Sequence, residues 1–259
     1  MVLGWVLALT GSALAQAGSQ SAPAIPEQPS ALSRANLAKP RPKAPFDLTG
    51  TWQHDGRANT WHFVPETFKL TPQAQVHFDR GVQALKDGGV YRDDVGQCWP
   101  AGMPMIMTRV WPIAVIQLPT AVYMVSGFMN SLRVIYLDGR GHTDPDLVVR
   151  SFNGESIGHW EGEVLVVDTI YFPGHHHWMD QGGASIPASE DLHIVERFRM
   201  RPDGALDIEY TMTDPKNWEG EWKMVKTFRR RDNTDITEVQ CLPDLNDRLP
   251  ATSSKRLVK

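Results

Sequence analysis

The sequence predicts a mainly β protein: an antiparallel meander closed or nearly closed into a barrel, with a curved β-sandwich as the alternative and one helix at about 72–86. Three observations carry this. Short apolar runs with period-two alternation recur from residue 111 onward, separated by Pro, Gly, Asn and Asp. Only residues 72–86 carry a convincing helical stripe. Strands do not alternate with helices and no phosphate-cradling Gly loop is present, so closure is the economical way to remove exposed sheet edges.

In chain order, residues 1–15 read as the apolar core of a signal peptide with an Ala13-Leu14-Ala15 cleavage site, without the usual positive n-region. The run is too short for a stable membrane span. Export to a periplasm or to the exterior follows. Residues 16–45 are Ala, Pro, Ser and Gln with almost no aromatics, a composition that cannot bury enough apolar surface to order itself, and they read as a disordered tether. A single barrel domain is expected over 46–245, then a flexible tail over 246–259.

The domain opens at Phe46-Asp47-Leu48-Thr49-Gly50-Thr51-Trp52. Its Gly-x-Trp resembles the first strand of lipocalin-like barrels, where the Trp plugs one barrel end. Residues 60–64 are a candidate strand. Thr71 and Pro72 supply an N-cap and a first-position proline, Phe78, Val82 and Leu85 form the helix stripe, and Gly88-Gly89 ends it. After a Pro/Gly loop at 97–104, strands are expected at 111–118, 121–128, 132–138, 155–161, 163–169, 192–200, 205–213, 222–230 and 236–241. Glu161-Gly162 offers a tight turn for the hairpin at 155–169.

Composition bounds the function. At 259 residues and 41% hydrophobic content the chain can bury a sizeable core, and a net charge of −4 gives no electrostatic footprint for nucleic acid or an anionic membrane. Arg229-Arg230-Arg231 ends a strand and reads as a solvated edge. Two cysteines, Cys98 and Cys241, fit an oxidising compartment. Paired, they close a loop worth at most roughly 5 kcal/mol in the chain-entropy model; two separate buried thiols are the alternative.

Alternation sorts the polar groups. Glu196 shares a face with Leu192, Ile194 and Phe198, and Lys226 shares one with Trp222, Met224 and Phe228. Both point to the apolar side, where an unpaired charge costs several kcal/mol. They either pair with each other across the wall or serve as a general acid and base. Asp168 takes the phase of Val164 and Val166, and Glu155 and His159 that of Ile157, so all three are candidates for the same interior. The histidine-rich segment His175-His176-His177, with Asp180 nearby and His142, His159 or His193 folding in, makes a metal site chemically possible through His175, His177 and Asp180, although no HExxH motif is present. No GxSxG elbow supports a serine nucleophile. The tryptophans exceed what a small core needs, and Trp111, Trp160, Trp178 and Trp222 are candidates to line a cavity for a flat apolar ligand, with Glu155 and His193 at its polar end.

At Gly154-Glu155-Ser156-Ile157-Gly158-His159-Trp160-Glu161-Gly162-Glu163 and Leu165-Val166-Val167-Asp168-Thr169 the chain resembles a large bacterial family of exported proteins. The resemblance extends to Cys98-Trp99-Pro100-Ala101-Gly102-Met103-Pro104, to residues 133–140 and to residues 192–198, and covers roughly 46–245. Where that family usually carries a histidine, this chain has Glu155. More distantly it is similar to cofactor-independent enzymes that open phenylcoumarans, a class of lignin dimer, to stilbenes. That similarity implies a lyase needing no cofactor and a small hydrophobic aromatic substrate. In this chain Glu196, His159 or Asp168 would act as base, and Tyr136, Arg133 or Lys226 would steady the leaving phenoxide. A non-catalytic periplasmic ligand-binding protein and a metal-dependent enzyme are the alternatives.

Overall fold

The computed structural model describes residues 29–41, 44–87, 95, 98–179 and 186–242. The expected signal peptide, Gly88-Gly89, Asp180 and the tail at 246–259 lie outside the described residues. Within the expected tether, residues 29–41 carry a short helix, α1 (Arg34–Leu37), capped by the Ser33 hydroxyl, which accepts from the Asn36 backbone N–H. Asn36 is buried and its side-chain amide donates to the carbonyls of Pro29 and Ser30. That local hydrogen bonding is what composition alone does not register.

Nine strands close into a barrel in sequence order: β1 (Gly50–His54), β2 (Ile113–Gln117), β3 (Ala121–Ser126), β4 (Ser131–Tyr136), β5 (Glu155–Glu161), β6 (Val164–Ile170), β7 (His193–Met200), β8 (Leu206–Thr213) and β9 (Trp222–Arg230). β9 returns to pair with β1, so the sheet has no free edge. Every junction is antiparallel except β4–β5, which is parallel. A tight turn cannot join parallel neighbours, and the chain spends residues 137–154 crossing over between them. The stretches at 60–64 and 236–241, expected as strands, form none.

The long helix, α2 (Pro72–Lys86), falls where expected, and the Ala74 N–H donates to the Thr71 hydroxyl at its start. It packs on the barrel through Phe78, whose ring meets Phe68, which in turn lies against Trp222. Cys98 and Cys241 are joined in a disulfide, 143 residues apart in sequence, with Cα atoms 5.6 Å apart.

The interior is packed solid at the Trp52 end. Trp52 is buried and donates its indole N–H to the Leu48 carbonyl. The void that Trp52 shares with Met124, Phe198, Ile208 and Phe228 is about 10 Å³, the space of a single water centre. Inward positions on β7 and β8 are those that alternation predicts, Ile194, Glu196 and Phe198 facing in beside Ile208, Tyr210 and Met212.

On β6 the expected phase is reversed. Leu165, Val167 and Thr169 pair with the inward Phe198, Glu196 and Ile194, which turns Asp168 outward. Apolar residues occupy both phases of 164–167, so alternation could not choose between the faces; the register with β7 does. β5 follows: Ser156, Gly158 and Trp160 sit opposite the inward residues of β6, and Glu155, Ile157 and His159 face out.

The expected Glu196–Lys226 pair is also replaced. Lys226 is buried, and its ammonium donates to the carbonyls of Thr60 (2.7 Å) and His62 (2.6 Å) and lies over the Phe63 ring. It keeps the inward phase opposite Ile208 but holds the 60–64 segment against β9, leaving Glu196 to Arg133.

Candidate functional site

Two features of the wall meet at one place. The first is a seam. β4 and β5 share register only at Ile135–Ser156 and Tyr136–Ile157, so the first half of β4 faces the incoming segment 151–154 without a ladder between them. Asn153 bridges part of this gap, its amide nitrogen donating to the Ser131 hydroxyl (2.8 Å) and the Leu132 carbonyl (2.7 Å). The rest is an open cleft of about 490 Å³ walled by Pro100, Leu132, Val134, Tyr136 and Phe152, with Glu155 on its rim. That volume lies within the range of small-molecule sites.

Gly154 lets the chain enter the seam. It has φ +65°, and a Cβ there would meet the Ile170 carbonyl oxygen at 2.6 Å. Only glycine satisfies both the left-handed backbone and the close approach.

Behind the seam, one residue from each of four consecutive strands forms a buried polar quartet. Arg133 of β4 forks onto both Glu196 oxygens of β7, with Nη1 to Oε1 at 3.0 Å and Nη2 to Oε2. Its Nε donates to Ser156 of β5 (3.1 Å) and Nη2 to Thr169 of β6 (3.0 Å), and the two hydroxyls bond each other. Arg133 is 1% exposed and Glu196 fully buried. Tyr210, opposite Glu196 on β8, keeps its hydroxyl enclosed without a partner among the described residues; burial first, then the Glu196 charge, push its pKa well up.

The second feature lies on the outer face, where Glu155 begins a chain of alternating carboxylates and imidazoles. His142, from the crossover loop, places Nδ1 2.9 Å from Glu155 and Nε2 2.9 Å from Asp168. His193 of β7 places Nε2 2.7 Å from the other Asp168 oxygen. Thr143 adds its backbone N–H (2.8 Å) and hydroxyl (2.5 Å) to Glu155, and Tyr171 donates to the Thr143 carbonyl, fixing the loop. Burial acts to raise Glu155, but the hydrogen bonds from Thr143 and His142 outweigh it and hold the carboxyl below its usual value. Asp168 is likewise lowered, burial being outweighed by His193 and His142. The bond to Asp168 raises His193 against its burial. Glu155 and Asp168 are thus held as carboxylates.

Of the candidate site residues, Tyr136, Glu155 and Arg133 meet at the cleft, and Asp168 and His193 stand behind Glu155. The remainder do not converge. His159 is 65% exposed and pairs with Glu161 on the outside. Glu196 spends its charge on Arg133, behind the cleft wall. Trp222 is buried in a stack with Trp218, Trp160 packs on Phe46, Trp178 lies near His77, and Trp111 sits by Phe128, so none of the four lines the cleft. The aromatic walls are Tyr136 and Phe152 instead, with Trp99 against Phe152.

Of the residues named for the metal alternative, Asp180 lies outside the described residues. His177 is buried with Nε2 on the Met103 carbonyl (2.7 Å), while His175 is exposed. Among the described residues no group of three or more His, Cys, Asp or Glu side chains is gathered for a metal ion. His142, which sequence reasoning weighed only as a metal ligand, is the central member of the outer chain. It sits in a loop without periodicity, and with the carboxylates at 155 and 168 expected to face inward, nothing in the sequence placed it beside them.

No protein-family model matches this chain, and no curated protein matches it significantly.

Proposed function

We propose that the protein is a cofactor-independent, carbon–carbon-cleaving lyase of the exported family it resembles, acting on a lignin-derived diaryl compound in a periplasmic or extracellular setting. The substrate lies in the seam cleft and not inside the barrel. Glu155 carries the proposal: it is a carboxylate on the rim of an apolar cleft, backed by an imidazole that a second carboxylate orients.

The division of labour follows from hydrogen-bond capacity. Asp168 accepts from His142 Nε2 and so keeps a hydrogen on that nitrogen, leaving Nδ1 to exchange a proton with Glu155. Glu155 takes the hydroxyl proton of a substrate hydroxymethyl group. The freed oxygen pair forms a carbonyl, the carbon–carbon bond breaks to leave formaldehyde, and its electron pair becomes the new double bond as the benzylic carbon–oxygen bond of the aryl ether breaks, the oxygen leaving on the ring as phenoxide. Tyr136, its ring covered by the Arg140 guanidinium at 3.9 Å, offers its hydroxyl to the departing phenoxide.

The test is incubation with a phenylcoumaran bearing a hydroxymethyl group, followed by stilbene absorbance and formaldehyde assay. Turnover is expected, with Glu155→Gln slower by about 10²-fold or more and its thermal midpoint little changed. A substrate that binds and is recovered unchanged would overturn the lyase in favour of a binding protein.

A further inference from the structure

The charge around the cleft is one-sided. Among the lining residues only Arg133 and Glu155 carry formal charge. Arg133 is 1% exposed and its guanidinium is committed to Glu196, Ser156 and Thr169. The neighbouring Arg140 is occupied too, chelating Asp138 with Nε at 2.8 Å and Nη2 at 2.6 Å, and both His142 nitrogens face carboxylates. Glu155 remains as an ionised group on the rim, with two Thr143 donors on its oxygens, His142 Nδ1 opposite, and room for a further donor.

A second observation points the same way. The Asn153 amide is oriented beyond doubt, because the Leu132 carbonyl at 2.7 Å can face only its nitrogen. Its oxygen is therefore an acceptor, enclosed beside the cleft, and has no donor among the described residues. An unmet acceptor and an ionised carboxylate ask for the same thing.

We propose that the cleft selects small aromatics whose polar end donates hydrogen bonds, phenolic alcohols or aromatic ammonium compounds, and rejects aromatic carboxylates. This rests on the cleft being the ligand site. A carboxylate entering it meets Glu155 with no free cation among the described lining residues to offset the repulsion, whereas a hydroxyl or ammonium can fill the remaining Glu155 lone pair.

The test uses three probes on one skeleton, tyramine, tyrosol and 4-hydroxyphenylacetate, titrated into the full chain and read by calorimetry and by amide shifts at residues 131–136 and 151–156. Tyramine and tyrosol are expected to bind, with the acid at least about tenfold weaker. Added salt should narrow the gap between tyramine and the acid, as should Glu155→Gln if that variant keeps its thermal midpoint. Equal or tighter binding of the acid, or a ranking indifferent to both salt and Glu155→Gln, overturns the proposal. If no probe shifts the seam amides, both the selectivity and the site fall. Selective binding without turnover upholds the selectivity and removes only the lyase.

Discussion

Arg133 and Glu196 lie on strands that are not neighbours, yet they form a two-pronged ion pair inside the barrel. The strands between them contribute Ser156 and Thr169, so the quartet ties β4 through β7 together across the parallel seam, where backbone pairing is thinnest. Its role is to hold the wall of the cleft.

A buried pair that loses one member leaves the other charge stranded, which typically costs about 3–5 kcal/mol. Glu196→Gln is therefore expected to lower unfolding stability on that scale, read as a shift of the urea midpoint at constant slope. Arg133→Met combined with Glu196→Leu should recover much of the loss, since two apolar groups leave no uncompensated charge. A Glu196→Gln variant with wild-type stability would remove the quartet from this structural role.

The architecture was legible where one face of a strand is apolar and the other polar. β7, β8 and β9 show that contrast, and their inward residues follow from alternation alone. β6 does not: Val164, Leu165, Val166 and Val167 are apolar on both phases, so the side on which Asp168 emerges depended on a long-range register. The site inherited this ambiguity, because Glu155 and Asp168 were recognisable as chemically interesting while the face they share was not. The cleft itself arises from the parallel β4–β5 junction, which no local pattern encodes. His142 reaches it only because residues 137–154 cross back over the outside of the wall.

Stability should peak near pH 6.5, because histidines with opposite shifts bound it. His177 and His54 are held neutral, burial lowering each from 6.5 to about 4. The unfolded chain takes up those protons first, so stability is complete above the unfolded value and falls as pH drops from 6.5 toward 4, by about 3 kcal/mol for a shift of the His177 size. His193 has the opposite sign. Its bond to Asp168 raises its folded value above 6.5, so its contribution is complete below 6.5 and is lost as pH rises through the folded value. Asp168, lowered from 3.8, keeps its share until pH falls below that figure. Urea midpoints at several pH values check this. His177→Gln, which can still donate to the Met103 carbonyl, should flatten the acid limb, and His193→Gln the alkaline limb; unchanged slopes would refute the assignment.

Asp168 separates a relay from mere surface pairing. Its carboxylate is half-exposed, at 38%, and takes one imidazole on each oxygen. Pairs this exposed contribute about 0–1 kcal/mol each, so Asp168→Asn should fold with a nearly unchanged thermal midpoint. Its chemical effect should be larger. An amide presents one acceptor oxygen in place of two, so His142 and His193 compete for it, and His142 loses the partner that keeps a hydrogen on Nε2. On a substrate that the wild type turns over, kcat is expected to fall by about 10²-fold or more with KM little changed, because Asp168 does not line the cleft. Nitrogen-15 spectra of labelled histidine provide the independent readout: the His142 resonances should move in Asp168→Asn even without substrate. Full kcat together with unperturbed His142 signals would show that the chain of carboxylates and imidazoles is only a brace for the crossover loop.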